Sequence, residues 1–225
     1  LLLTEIYCDQ IPSLHFGIDT AIYDIESKKN KMSLSKFLSS TSYEKIKLSS
    51  LYSNQSNKKK YNTDTIKYKL GIKSIDEDMQ ILESISNNNQ CIKFRLDANR
   101  NYTLEEFRLI YKKLEKFNIE YFEEPLQNPN IDKLKKIKNE FEIKIAIDES
   151  LYDGSDYRSW IKTGVINSII IKPSIFGGYK NILNLCQIAK NNNIKIIFSS
   201  ALESSIGNMA TIHMAATMEE EQEHG

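Results

Sequence analysis

The sequence is poor in several features that would fix its class at once. Its three cysteines, Cys8, Cys91 and Cys186, are far apart and never form Cys-x-x-Cys, so they make neither a disulfide framework nor a thiolate metal site. A reducing, cytoplasmic setting is the expectation from that usage. Excess charge of one sign is missing: 30 Lys+Arg balance 30 Asp+Glu, which removes the electrostatic argument for a nucleic-acid or membrane partner. No apolar run approaches the roughly 20 residues a membrane helix needs. Among eight glycines there is no Gly-x-Gly-x-x-Gly and no phosphate loop. The three histidines, His15, His213 and His224, fall outside any nucleophile motif, which argues against a triad hydrolase, and a structural-zinc ligand set is lacking.

What is there suffices for one large domain, or a domain plus a fragment: 225 residues, 40 % of them hydrophobic. Phe16, Ile18, Ala21, Ile22 and Ile25 stand near helical spacing after Pro12 and Ser13, which predicts an amphipathic helix in the first 30 residues. From about Ser33 to Thr63 the chain turns polar, with Lys58 to Lys60 in a row, and reads as a solvated connector. Beyond Thr63, short apolar runs alternate with helical stretches. The candidate strands are Thr65–Leu70, Cys91–Leu96, Ile119–Phe122, Ile143–Ile147, Ser168–Ile171 and Ile194–Phe198, rich in β-branched and aromatic residues. Ser74-x-x-Glu77 and Thr103-x-x-Glu106 are capping boxes that start helices between them. The second leads into an apolar face of Phe107, Ile110, Tyr111, Leu114 and Phe117, and Tyr179, Ile182, Leu183 and Cys186 repeat that spacing. Six strand–helix units in series predict an α/β fold of parallel strands with right-handed crossovers, either a (β/α) barrel or an open doubly wound sheet. A whole barrel needs eight units, so at least one is expected in the ambiguous ends or outside the chain.

The charges are placed more tellingly than they are counted. Lys67 and Lys69 share one face of the first strand, and the next ends in Arg95-Leu96-Asp97-Ala98-Asn99. Then come Glu123-Glu124-Pro125, Asp148-Glu149-Ser150, Lys172-Pro173 and Ser199-Ser200. Asp97, Glu123, Asp148 and Lys172 recur about every 25 residues, one strand–helix unit apart. In a parallel barrel the C-terminal strand ends share one rim, where sites of this fold assemble. Three carboxylates meeting there repel one another unless a cation sits among them, and oxygen-only ligation suits Mg²⁺. Lysines on either side are then placed for acid–base work, with burial and a nearby cation lowering their pKa. Singly, such acids are ordinary helix caps or loop residues, as Glu124 and Glu149 are on that reading, and Lys67 or Lys69 can snorkel to solvent. Three successive units with the same placement set the pattern apart.

In this order the motifs Lys67-Tyr68-Lys69, Asp97-Ala98-Asn99, Glu123-Glu124-Pro125, Asp148-Glu149-Ser150 and Lys172-Pro173 resemble the enolase superfamily. Pro12 to Gly17, Arg95 to Arg100 and Ser200 to Gly207 make the chain most similar to the o-succinylbenzoate synthases of menaquinone biosynthesis. The resemblance implies an enolase-type (β/α) barrel over residues 64–225, incomplete at its end. Residues 1–63 would hold the C-terminal remnant of an α+β capping domain plus the connector. It also implies that Asp97, Glu123 and Asp148 bind Mg²⁺, with Mn²⁺ as a substitute. Lys69 would abstract the proton α to the carboxylate of a small-molecule substrate and Lys172 would stabilise the anion. Lys67, Arg95 and Asn99 would surround base and metal, and Ser200 and Ser204 would hold the succinyl carboxylate. The implied reaction dehydrates 2-succinyl-6-hydroxy-2,4-cyclohexadiene-1-carboxylate to 2-succinylbenzoate; that superfamily sites pair a Lys or His base with Mg²⁺ is general knowledge of the family.

The chain departs from the family pattern at both ends. It opens on Leu1, with most of a capping domain expected to be missing, and stops at His224-Gly225, where the last barrel strand is expected to begin. The expectation is that residues 1–225 alone are inactive or poorly folded. A dipeptide epimerase or N-acylamino acid racemase would use the same Lys69 and Lys172, and a catalytically dead barrel remnant is the non-enzyme alternative. The remnant predicts losses among the key positions, and none is lost.

Overall fold

The computed structural model describes residues 11–53, 63–218 and 223–225. The Lys58–Lys60 run, Cys8 and the acidic stretch from Glu219 lie outside the described residues. In chain order the elements are α1 (Pro12–Lys29), α2 (Leu34–Leu38), β1 (Lys47–Leu48), β2 (Ser50–Leu51), β3 (Thr65–Lys69) and α3 (Ile75–Asn88). There follow β4 (Lys93–Asp97), α4 (Leu104–Leu114), β5 (Ile119–Glu123), α5 (Ile131–Phe141), β6 (Ile145–Ile147) and a 3-10 turn over Glu149–Leu151. The rest are α6 (Tyr157–Lys162), β7 (Ser168–Ile171), α7 (Pro173–Phe176), α8 (Tyr179–Asn191), β8 (Lys195–Phe198), α9 (Ser205–Ala215) and β9 (Glu223–His224). Strands β2 to β8 are neighbours in sequence order, with parallel pairing from β2 to β7, the α/β barrel-type topology rather than the open doubly wound one. No helix among the described residues is long and apolar enough to cross a membrane.

The chain forms two compact units, residues 49–169 and, together, 1–48 with 170–225. In the first, alternation along the strands separates two faces. Ile66, Tyr68, Phe94, Leu96 and Phe122 are buried on one, and the other carries Lys67, Lys69, Arg95, Asp97, Tyr121 and Glu123. Helix α4 covers the apolar face: the Phe107 ring meets Phe122 edge-on at 5.2 Å, and Phe94 meets Phe117 at 5.8 Å. Phe107 and Leu114 are fully buried, whereas Phe117 lies beyond the helix end. Both capping boxes form, Ser74 and Thr103 accepting the N–H of Glu77 and Glu106 while each glutamate side chain accepts the cap's N–H. Each cap contributes about 1 kcal/mol.

In the second unit, α1 buries Phe16, Thr20 and Ser27, while Ile22 and Ile25 are exposed. The apolar spacing therefore misplaces its buried face. The reason is a partly polar dock: Phe16 and Tyr23 pack on the Tyr179 ring at 5.7 and 4.8 Å, and Asp19 accepts the Tyr179 N–H at 2.8 Å. Gly178 makes the approach possible, because a Cβ there would lie 2.2 Å from His15 Nε2. Helix α8 buries Tyr179, Ile182, Leu185 and Ala189, so its face passes through Leu185 instead of Leu183.

Part of the stretch read as connector is ordered structure. Helix α2 buries Leu34 and Ser35, and the backbone N–H of Ser35 donates to Nδ1 of His213 at 3.3 Å. Leu48 pairs in parallel register with His224, and Gly225 N–H donates to the Phe198 carbonyl at 2.8 Å. These two-residue strands carry no alternation long enough to be read from sequence.

Candidate active site

Within residues 49–169, the strand register aligns Lys69 with Asp97 and Asp97 with Glu123, so three charged residues stand side by side at consecutive strand ends. The ends are held at one height by backbone bonds of 2.8 to 3.0 Å from Leu70 to Asp97, Ala98 to Glu123 and Glu124 to Ala146. The end of β3 is further tied to α3. Tyr68 Oη donates to Asp78 Oδ1 at 2.6 Å and Gly71 N–H to Asp78 Oδ2 at 2.9 Å.

Lys67 ion-pairs with two of the carboxylates. Its Nζ lies 2.7 Å from Glu123 Oε1 and 3.2 Å from Asp97 Oδ2. Burial opposes the Lys67 charge, but Glu123, then Asp97 and Asp148, outweigh it and raise its pKa above the usual lysine range. Glu123 is fully buried and its pKa is raised: burial dominates, Lys67 opposes, and the like charges of Asp97 and Asp148 add to the rise. Asp97 and Glu123 thus share the Lys67 ammonium. Lys69, one step further along the strand, is exposed. Arg95 is buried, ion-paired with Glu120 at 2.7 Å and stacked over Tyr121 at 5.3 Å. Asn99 donates its backbone N–H to Asp97 Oδ1 at 3.1 Å and its side-chain amide to Glu149 Oε1 at 3.1 Å.

Among the described residues no three His, Cys, Asp or Glu side chains stand close enough together to hold a metal ion, with Lys67 bridging two of the acids. The donor chemistry nonetheless fits a hard divalent cation. All three acids are oxygen donors, and Glu123 Oε2 is buried without a hydrogen-bond partner.

The remaining predicted residues lie in the other unit. Lys172 follows β7 at the start of α7 and is half-buried. Ser200 is exposed just after β8. Ser204 caps α9, its hydroxyl accepting the Gly207 N–H at 3.3 Å. Four polar residues were not singled out as site residues by sequence: Arg100, Glu124, Ser150 and Asp153, which form one network around the 3-10 turn. A signal for three of them existed, since positions 100, 124 and 150 also recur about every 25 residues, just past the acids.

Comparison with known proteins adds the lineage. Residues 53–224 match the family described as enolase C-terminal domain-like. The chain is 29 % identical over 217 residues to arabinonate dehydratase of Saccharolobus solfataricus, covering 90 % of this chain and 57 % of that protein. It is 25 % identical over 209 residues to o-succinylbenzoate synthase of Bacillus subtilis, covering 89 % and 55 %. The crystal structure of a dipeptide epimerase from Enterococcus faecalis superposes with a TM-score of 0.81 at 28 % identity, covering 92 % of this chain and 63 % of that one. The chain thus spans between 55 % and 63 % of the length of these relatives. With the family matched over most of its residues and the parallel sheet in place, the chain belongs to the enolase C-terminal domain-like family, within the enolase superfamily.

Proposed function

We propose that the protein containing this chain abstracts the proton α to the carboxylate of a small-molecule substrate, and that its reaction is the dehydration of 2-succinyl-6-hydroxy-2,4-cyclohexadiene-1-carboxylate to 2-succinylbenzoate. The observation that carries the reading is the row of Lys69, Asp97 and Glu123 at neighbouring strand ends, with the Asp148 charge acting on the same Glu123. Asp97, Glu123 and Asp148 would hold a divalent cation, Mg²⁺ or Mn²⁺, which when bound supplies charge stabilisation to a substrate carboxylate. Lys69 Nζ takes the α-proton and returns it to the departing hydroxyl as water leaves, so the proton count closes. Lys67 balances the acids before loading, and Asn99 orients Asp97 through its backbone N–H. Lys172 is assigned stabilisation of the anionic intermediate on the Lys172-Pro173 motif alone. Arg95 supports strand β4 through Glu120. Ser200 and Ser204 remain the proposed contacts for the succinyl carboxylate. The free thiol of exposed Cys91 agrees with a reducing, cytoplasmic home.

A second reading, epimerisation of dipeptides, is favoured by the structural likeness to the Enterococcus faecalis enzyme. The two reactions share the proton abstraction and differ in the fate of the anion, which loses hydroxide in one and is reprotonated in the other. Complete protein supplied with each substrate separates them, by aromatic product absorbance for the synthase and by α-deuterium incorporation from D₂O for the epimerase. Lys69→Ala is expected to reduce either activity about 100- to 10,000-fold while Mn²⁺ still binds. Undiminished turnover removes Lys69 from the acid–base role.

A further inference from the structure

Glu124 has side-chain bonds that a loop residue would not need. It is 1 % exposed and holds the left-handed φ of 43° that a side chain rarely adopts. Its Oε1 accepts the backbone N–H of Asp148 at 2.9 Å and of Ser150 at 2.8 Å. Its Oε2 accepts the Ser150 hydroxyl at 2.8 Å and Arg100 Nε at 2.9 Å. Arg100, also left-handed with φ 60°, donates a second nitrogen to Ser150 Oγ at 2.7 Å and pairs with Asp153 at 2.6 Å. One carboxylate thus accepts four hydrogen bonds and joins the ends of β4, β5 and β6. Asp97 and Glu123 end the first two of these strands, and Asp148 directly follows the third.

The two backbone amides matter most. Asp148 directly follows β6 and, at φ −125° and ψ −77°, has the backbone form of neither helix nor sheet. Glu124 Oε1 accepts its peptide N–H, from a residue that directly follows Glu123 in sequence. The position of the third acid is thereby referred to that of the second. A helix cap would accept N–H groups from its own chain segment; Glu124 accepts them from a segment 24 and 26 residues away.

We infer that Glu124 is a positioning residue that sets Asp148 against Asp97 and Glu123 for cation binding, with Arg100 and Ser150 holding Glu124 in turn. The inference rests on the metal-binding part of the proposed function. It predicts that the bond network governs affinity for the ion, as outer partners of metal ligands do when their loss lowers affinity by about 10- to 100-fold.

The test uses the complete protein and Mn²⁺ alone. Dissociation constants come from Mn²⁺ electron paramagnetic resonance, and hydrogen exchange of the peptide spanning residues 147–151 is followed in the metal-free protein. Glu124→Gln is expected to weaken Mn²⁺ binding about 10- to 100-fold and, by removing the charge and one acceptor oxygen, to speed exchange at the two amides held less tightly, Asp148 and Ser150. Faster exchange with an unchanged dissociation constant assigns Glu124 a merely structural role and overturns the inference, as do unchanged values of both. Should Glu124→Gln fail to fold, Ser150→Ala removes one arm only, with an expected weakening of about 3- to 10-fold on the same scale; an unmoved constant there overturns the inference too. Wild-type protein that binds no Mn²⁺ overturns the metal reading itself, and with it this one. Binding that Glu124→Gln and Ser150→Ala leave untouched overturns this one alone.

Discussion

Nζ of Lys67 stands 2.7 Å from Oε1 of Glu123, an ion pair between strands that are not neighbours, reached over the intervening Asp97. Both side chains are largely withdrawn from water, so each depends on the other for solvation. Removing one member of such a pair destabilises by about 3 to 5 kcal/mol, because a buried charge is left alone. Lys67→Met is therefore expected to lower the melting temperature of the metal-free protein. Added Mg²⁺ should recover more stability in the variant than in the wild type, since the ion would bind the folded state and replace the lost cation. Equal recovery in both would mean that Lys67 and the ion do not answer to the same acids.

Gly178 is a steric requirement of the α1 dock. Gly178→Ala puts a methyl 2.2 Å from His15 Nε2, and the imidazole must swing away. A loss of about 1 to 3 kcal/mol is expected in urea unfolding. His15→Ala in the same chain should recover part of it, because the two sites couple through that contact.

Phe107→Ala opens the layer between α4 and β5, where the ring meets Phe122 edge-on and lies 6.4 Å from Phe141. The expected loss is about 3 to 5 kcal/mol, read as a lower urea midpoint with an unchanged slope.

His213 supplies a pH dependence. Burial lowers its pKa below the ordinary histidine value, with Asp24 opposing, and its Nδ1 accepts the Ser35 N–H only while unprotonated. Between the folded and unfolded values the unfolded chain binds the extra proton, so stability rises with pH. The contribution is complete above about pH 6.5 and is lost as pH falls through that value toward the lower folded one. His213→Gln should flatten the fall in urea midpoint between pH 7.5 and pH 5.5; an identical fall would place the titration elsewhere.

What could be read from the sequence was what is local or periodic. The caps at Ser74 and Thr103 are set by four residues each, and strands β3 to β8 by runs of buried β-branched and aromatic residues. The alternation of Lys67 and Lys69 put both on one face, but only the register showed Lys67 reaching the acids while Lys69 stays exposed. Apolar spacing misplaces the face of α1 because ring packing on Tyr179 and the Asp19 hydrogen bond, rather than aliphatic area alone, choose which side docks. From sequence Glu124 looks like a cap or loop acid, because its partners come from other strand ends and no neighbouring residue announces them.

Five of the left-handed residues divide into two kinds with different tolerance for change. Glu142 closes α5 at φ 54° and Asn193 turns toward β8 at φ 56°, both exposed, so glycine there would relieve backbone crowding and sacrifice little. Asn99, Arg100 and Glu124 share that backbone form, yet each has a side chain bonded to another strand end. A library allowing glycine at all five, sorted for heat resistance and then for metal retention, should keep glycine at 142 and 193 through both rounds. At 99, 100 and 124 the second sort should reject it, separating positions that merely turn the chain from those that aim its chemistry.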